Sequence, residues 1–364
     1  MGGWPLNSFP TCRRPDKPHL EGLVRCVTIR KIRLVRTVLT FVLPGCRTSG
    51  ARAQRMAVFS ELRYPTTRLA KVLSSLLAII LFAFVSIATI SGFLLYQILR
   101  TPHPTAPVDL NVMMGHPTSM SFSLADGTTR DGWFFPGRRG APTVVVCHGY
   151  LSQRTDVLTL VTALQESQFN VFLFDFSGHG TSPGVTSLGY RERQELKSAV
   201  QALSTRDDVD PEHFGLWGVD MGGYVALEEA SGDPRISAFI VDDAYSDPRQ
   251  MVRIEVKHSG LAVLPYVSRF CDWGFRLMNY QFRSEPPVNS RLYNTKGIPK
   301  LFFQSDSRPA LANETLTLFI LSPEPKQLVR TRTKYSEMTD EDRKNYENIV
   351  VSFFLTNISP TSRH

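Results

Sequence analysis

Cysteine is scarce in this chain, and its placement argues against a disulfide-stabilised fold. Three of the five cysteines, Cys12, Cys26 and Cys46, lie in the first 55 residues. Of the other two, Cys147 lies within a run of valines, which favours a buried free thiol over a bridge with Cys271. The Cys/His spacing typical of zinc sites does not occur, so we expect neither a metal nor a cofactor.

Acidic residues are few at the N-terminus, which makes the basic charge local. Residues 1–71 contain 14 Lys/Arg and 3 Asp/Glu, a balance of +11, so the net charge of +8 leaves −3 for the remainder. A nucleic-acid-binding domain would carry its basic charge on the folded part. We therefore predict no nucleic-acid partner. A hydrophobic content of 42% excludes a disordered chain and supports a sizeable core.

Formal charge is absent from Val72 to Leu99, a run of 28 residues. About 20 apolar residues cross a bilayer as a helix, so this run predicts a single transmembrane span that serves as a signal anchor. A buried core helix and a cleaved signal peptide are the alternatives. Arg63, Arg68 and Lys71 precede the run and Arg100 follows it, which predicts a cytoplasmic N-terminus, an extracytoplasmic domain and location in the cell membrane.

The flanking segments predict the domain organisation. Residues 1–55 are basic and contain proline, and we interpret them as a leader that is not translated if Met56 is the true start. We predict a cytoplasmic basic segment at 56–71, a proline-rich linker at 101–109 and a folded domain at 110–357.

The folded domain alternates strand and helix patterns. A hairpin is predicted across Asp126-Gly127, and short apolar β-branched runs predict strands that are buried on both faces. Repeated strand-helix-strand units indicate an α/β fold with a mostly parallel, doubly wound sheet. Residues 246–297 interrupt this rhythm with helical, aromatic-rich sequence and predict an inserted helical lid. Predicted strands are 119–124, 129–135, 143–147, 170–175, 214–218, 236–241, 300–304 and 327–331, and predicted helices are 156–166, 190–204, 222–230 and 340–357.

Three motifs follow predicted strands in order. The first is His148-Gly149-Tyr150, and the second is the Asp175–Ser182 run, which contains His179. The third, Gly218–Gly223, has the outline of a nucleophile elbow, G-x-S-x-G, with Asp220 at the nucleophile position. A carboxylate is a poor substitute for an activated hydroxyl, so the pattern indicates a fold while arguing against its usual chemistry.

In order and spacing these motifs resemble the membrane-anchored α/β-hydrolases of the serine aminopeptidase-like group, which includes esterases and lysophospholipases. The resemblance covers about residues 110–357 and implies the α/β-hydrolase fold. It also implies an oxyanion hole formed by the main-chain N–H groups of Tyr150 and Met221, with His148 and His179 at the pocket wall. For His179 a structural hydrogen-bonding role is the main alternative.

The other two positions of the family's catalytic triad also differ. Where the family has its acid, this sequence has Arg308, with Asp306 as a possible substitute. After the last strand, where the family has its histidine, the sequence reads through Lys334 and Tyr335 without an imidazole, and we assign both to the pocket. No histidine lies between His258 and the C-terminal residue.

Two functional hypotheses remain from the sequence. The first is a membrane-tethered pseudohydrolase that binds a small molecule or a protein in its pocket, with Asp220 in the oxyanion hole and ion-paired to Arg308 and Lys334. The second is an active hydrolase with Asp220 as nucleophile, an arrangement similar to that of haloalkane dehalogenases and epoxide hydrolases, with His258 or His148 as base. Other acids near the predicted site, Glu192, Glu195, Asp242 and Asp243, are more typical of helix caps and solvated positions. The oligomeric state is left open.

Overall fold

The computed structural model describes residues 67–102 and 115–358. The leader, the start at Met56 and most of the predicted linker lie outside these residues, so their predictions stand as made. The N-terminal described segment is one helix, α1 (Arg68–Leu99), which includes the whole charge-free run. By length and composition α1 can cross a membrane.

The described residues from 115 onward form one sheet of eight strands, in the order β1-β2-β4-β3-β5-β6-β7-β8. The β1–β2 and β2–β4 pairs are antiparallel, and every pair from β4 to β8 is parallel. The predicted mostly parallel sheet is thus confirmed. The strands are β1 (Thr118–Ser123), β2 (Thr129–Phe135), β3 (Ala141–Cys147), β4 (Asn170–Phe174), β5 (Val209–Val219), β6 (Ile236–Asp242), β7 (Lys300–Ser305) and β8 (Lys326–Thr331).

Helices cover both faces of the sheet, which accounts for the continuous apolar runs in its central strands. Val145 belongs to one hydrophobic cluster, and its neighbours Val144 and Val146 belong to the other, as the alternation of side chains along a strand requires. The helices after α1 are α2 (Leu158–Glu166), α3 (Glu192–Leu203), α4 (Met221–Ala230), α5 (Pro248–His258), α6 (Val267–Met278), α7 (Pro309–Leu321) and α8 (Asp340–Asn357).

One difference from the prediction lies next to the site. Helix α7 follows β7 directly and was not predicted, because its sequence is apolar on most sides and gives little helical periodicity. Its proline at the first helical position is the start signal that sequence reasoning missed. Within the predicted lid, 246–297, the chain forms α5, α6 and several short 3₁₀ turns.

Candidate functional site

Strand β5 and helix α4 meet in a sharp turn at Asp220. This residue has φ = 40° and ψ = −99°, a conformation that non-glycine residues rarely adopt. The flanking glycines permit the turn: a Cβ at Gly218 would lie 2.2 Å from the Gly222 carbonyl oxygen, and one at Gly222 would lie 2.2 Å from the Cys147 carbonyl oxygen. The turn therefore presents the Asp220 side chain at the carboxyl edge of the sheet, in the manner of a nucleophile elbow.

The Asp220 carboxylate fills the position between two main-chain donors. Its Oδ1 accepts a hydrogen bond from the Tyr150 N–H at 2.6 Å and another from the Met221 N–H. The loop after β3 approaches closely here, since a Cβ at Gly149 would lie 2.8 Å from the same Oδ1. The two N–H groups assigned from the sequence to an oxyanion hole thus converge on one oxygen, and that oxygen belongs to the protein.

The other carboxylate oxygen of Asp220 forms an ion pair. Arg308, the residue just before α7, donates from Nη1 to Asp220 Oδ2 at 3.1 Å and from Nη2 to Glu255 Oε1 at 3.3 Å. Burial raises the pKa of Asp220, while the Arg308 guanidinium and then the Tyr150 and Met221 N–H groups oppose that rise. Asp220 is 5% exposed, so its charge is balanced almost entirely by these contacts.

The two histidines predicted for the pocket wall are fully buried and hold main-chain groups. His148 accepts a hydrogen bond at Nε2 from the Phe176 N–H (3.0 Å), so its proton lies on Nδ1, which faces the Gly149 carbonyl at 2.9 Å. Burial lowers the pKa of His148 and favours this neutral form. His179 contacts the Ser177 carbonyl through Nδ1 at 3.1 Å, and the two rings are 5.2 Å apart. His148 therefore connects two loops at the strand ends, and its accepting nitrogen is already used.

Three other predicted site residues lie elsewhere. The Lys334 ammonium pairs with Glu337 at 3.0 Å, so it influences Asp220 only at a distance instead of sharing the predicted ion pair. Tyr335 was predicted to line the pocket, but it packs in the core with Trp217, and its hydroxyl donates to Glu347 at 2.6 Å. The sequence did not predict this because these partners belong to distant segments, β5 and α8, which no local pattern indicates. Asp306, the substitute acid, is exposed.

Of the other acids near the predicted site, Asp242 and Asp243 lie at the end of β6. Asp242 accepts a hydrogen bond from the Tyr346 hydroxyl at 2.9 Å, and Asp243 accepts one from the Ser305 N–H at 2.9 Å. Burial raises the pKa of Asp243 to about 7, the Ser305 N–H opposes this, and the nearby Asp220 charge adds to it. Glu255 on α5, which the sequence did not predict, is the second partner of Arg308.

Glu192 and Glu195 stabilise loops. Glu192 accepts from the Ser187 N–H (2.8 Å), and Glu195 accepts from the Ser177 N–H (2.9 Å) and pairs with Arg130 (3.0 Å). Neither acid therefore takes part in the cluster around Asp220.

Helix α1 ends against the same loop that supplies the Tyr150 N–H. The Tyr150 hydroxyl donates to the Ile98 carbonyl at 2.7 Å, and the Thr186 N–H donates to the Leu99 carbonyl at 3.1 Å. The last carbonyls of a helix have no partners within the helix, so these two bonds satisfy them from the folded domain. Tyr150 therefore connects the end of α1 to the site: its hydroxyl bonds to Ile98 and its N–H bonds to Asp220.

Comparisons with known proteins agree with the fold that carries this site. The model of the α/β-hydrolase fold family matches residues 142–296, which include the loop after β3, the elbow and the lid. The YfhR protein of Escherichia coli strain K12, described only as uncharacterized, is 27% identical over 252 residues, which cover 66% of this chain and 82% of that protein.

Solved structures show the same architecture. The esterase Pf2001 of Pyrococcus furiosus superposes with a TM-score of 0.58 at 19% identity, over 72% of this chain and 98% of that one. The α/β hydrolase GrgF of Penicillium sp. sh18 gives 0.52 at 19% identity, over 67% and 99%. Together with the family model, these likenesses show that the fold of this chain is the α/β-hydrolase fold.

Proposed function

We propose that this protein is a membrane-anchored pseudohydrolase, a member of the serine aminopeptidase-like group whose catalytic triad has been replaced and whose pocket binds a small molecule or a protein. One observation carries the proposal: Asp220 Oδ1 accepts hydrogen bonds from both the Tyr150 and the Met221 N–H groups. These are the donors that acyl transfer would direct at a substrate oxyanion.

The chemistry of the replaced residues supports the same conclusion. A serine hydrolase needs a hydroxyl, an imidazole that takes its proton and an acid that orients the imidazole. The corresponding positions here have Asp220, no histidine after β8, and Arg308. The described partners of Asp220 are two N–H groups and a guanidinium, and none of these can accept a proton at neutral pH.

The proposed location follows from α1. Its length and apolar composition suit a single membrane span, and the preceding Lys and Arg residues favour a cytoplasmic N-terminus. With the end of α1 hydrogen-bonded to Tyr150, the pocket would lie at the extracytoplasmic membrane surface.

One observation favours a second candidate, an active hydrolase with Asp220 as nucleophile. His258 Nδ1 lies 3.7 Å from Glu255 Oε1, so α5 places an imidazole beside a carboxylate that could orient it as a general base if the two moved into hydrogen-bond distance. However, Arg308 lies between Glu255 and Asp220, and it must move before His258 can activate a water near an ester on Asp220.

Turnover measurements on the full chain in detergent separate the two candidates. Wild type, Asp220→Ala and Asp220→Ser are compared with p-nitrophenyl esters and with haloalkanes, and intact protein mass is recorded after each incubation. For a pseudohydrolase we expect equal background rates for all three and no mass increase. Wild-type turnover that both substitutions abolish, or an alkyl adduct on wild type alone, would establish catalysis by Asp220.

A further inference from the structure

The lid exposes several large apolar side chains between residues 263 and 280. We define the lid edge as Val263, Tyr266, Trp273, Leu277 and Tyr280, which are 86%, 58%, 63%, 60% and 59% exposed. Soluble surfaces rarely expose so many large apolar residues within 18 positions of the sequence, 263–280, so this set indicates a binding surface.

Helix α6, which carries part of the lid edge, packs along α1. The rings of Phe84 and Phe270 are 5.4 Å apart in an edge-to-face contact. Seven residues further along α1, the thiol of Cys271, the residue next to Phe270, donates to the Ser91 carbonyl at 3.4 Å. The Phe84–Phe270 contact shows that the lid reaches well back along α1, toward the middle of its apolar run.

The charge-free run sets the depth of these contacts. It extends over 28 residues, from Val72 to Leu99, whereas a bilayer core requires about 20 at 1.5 Å per residue. Wherever such a window is placed within the run, it includes residues 80–91. Both Phe84 and Ser91 therefore lie within the hydrocarbon region of any anchored chain, or at its boundary. Phe270, which touches Phe84, lies at the same depth.

The faces of α6 match this position. Phe270, Trp273 and Leu277 have the i, i+3, i+7 spacing that places them on one side of a helix, next to the contact with α1. The charged side carries Asp272, which pairs with Arg276 at 2.9 Å and with Arg253 at 3.2 Å. A helix with one aromatic, apolar face and one charged face is typical of a segment that lies in a membrane interface.

We propose that the lid edge is inserted into the bilayer that α1 spans, with phospholipid acyl chains as its occupant. This inference depends on the anchoring stated in the proposed function. In this arrangement the lid itself contacts the membrane. The apolar outer face of α6 faces lipid, and its buried residues Val267, Cys271 and Phe275 face the core of the domain.

Tryptophan quenching by brominated lipid tests the insertion. The full chain is reconstituted into phosphatidylcholine vesicles with and without dibromo-acyl chains, and flotation first establishes membrane association. The chain has 4 tryptophans, and Trp133 and Trp217 are buried in the domain. We expect the brominated lipid to quench Trp273, a loss of up to about a quarter of the emission if the four contribute equally. That loss should vanish in Trp273→Phe and persist in Trp133→Phe.

A second variant shows whether Trp273→Phe loses quenching because the tryptophan is gone or because the protein is misfolded. Adding Leu277→Trp to Trp273→Phe should restore the quenching, because position 277 lies on the same edge. If the chain floats and Trp273→Phe leaves the quenching unchanged, the lid inference fails while anchoring stands. If the chain does not float, both fail. Cross-linked dimers whose Trp273 is shielded from bromine would assign the lid edge to a second copy of the chain and overturn the inference.

Discussion

Replacing Arg308 with methionine tests the central contact of the site. The substitution keeps much of the side-chain volume and removes the cation that faces both Asp220 and Glu255. The carboxylate of Asp220 is then buried with two N–H donors but no counter-charge. Removing one partner of a buried ion pair typically costs about 3–5 kcal/mol. For a domain of this size that corresponds to a melting temperature lower by roughly 6–20 °C.

The same substitution should make the stability loss dependent on pH. Without Arg308 the folded-state pKa of Asp220, already raised by burial, rises further. An acid whose folded pKa exceeds its unfolded value costs nothing while both states are protonated, and the cost develops as the pH rises from the unfolded value of 3.8. Arg308→Met should therefore be least destabilising under acidic conditions and most destabilising at pH 8.

Melting and denaturant unfolding of the full chain in detergent provide the assay. Arg253→Met is the matched control: Arg253 also pairs with a lid acid, Asp272, but its side chain is 57% exposed, so we expect a loss below about 1 kcal/mol. The double variant Asp220→Asn/Arg308→Met should recover most of the loss, because the amide oxygen still accepts from both N–H groups. Unchanged melting of Arg308→Met, or a double variant as unstable as the single one, would refute the ion pair as a stabilising element.

Three further predictions address the elbow and its neighbours. Asp220→Gly should leave the two N–H groups and Arg308 as an empty anion site. Formate at 100 mM should then stabilise the variant by about 1.4 kcal/mol if its dissociation constant is about 10 mM. Equal stabilisation of the wild-type protein by formate would contradict this prediction. Asp243→Asn should flatten the pH dependence of unfolding. The pKa of the Asp243 carboxyl is raised from 3.8 to about 7, so this group costs stability as the pH rises through that window, by about 4 kcal/mol at pH 8. Parallel stability curves for the two proteins would argue against it. Gly222→Ala should lower the free energy of unfolding by more than about 2 kcal/mol, since its Cβ would lie 2.2 Å from the Cys147 carbonyl oxygen. Gly232→Ala is the control: the nearest atom to its Cβ would lie at 3.7 Å, and denaturant titration should show a loss of about 1 kcal/mol or less.

Much of the fold could be predicted from the sequence because the central strands are buried on both faces. Such strands read as short apolar β-branched runs, and β3 and β4 begin or end within two residues of their predicted bounds. Helix α8 matches its predicted bounds, since an N-cap threonine and three acids mark its start. Helix α7 was missed because its sequence is apolar on most sides and shows little helical periodicity.

In the site, too, the contacts made by local motifs could be predicted from the sequence and those made by distant segments could not. The elbow and the loop after β3 are local motifs whose backbone conformation is fixed by glycine, so the meeting of Asp220 with the Tyr150 and Met221 N–H groups could be predicted. The neighbours contributed by distant segments could not. Glu255 reaches Arg308 from the lid, and no local pattern marks it. The position of Tyr335 depends on how the chain leaves β8, which a single sequence does not specify.

Both forms of catalysis meet the same physical difficulty at Asp220. For acyl transfer, a substrate oxygen would have to displace Asp220 Oδ1 from two N–H groups, and charge-assisted hydrogen bonds contribute about 1.5–3 kcal/mol each. That cost, roughly 3–6 kcal/mol, offsets much of the roughly 5–8 kcal/mol that two oxyanion donors supply to the transition state, so most of the acceleration from the hole would be lost. For attack by Asp220 itself, Oδ1 accepts from both N–H groups and Oδ2 accepts from Arg308, so the electron pair that remains on Oδ2 is made less nucleophilic by the guanidinium beside it. The contacts that stabilise the buried carboxylate thus also weaken Asp220 as a nucleophile and keep the oxyanion hole occupied. The stability of Arg308→Met and the turnover of wild type must therefore be measured together.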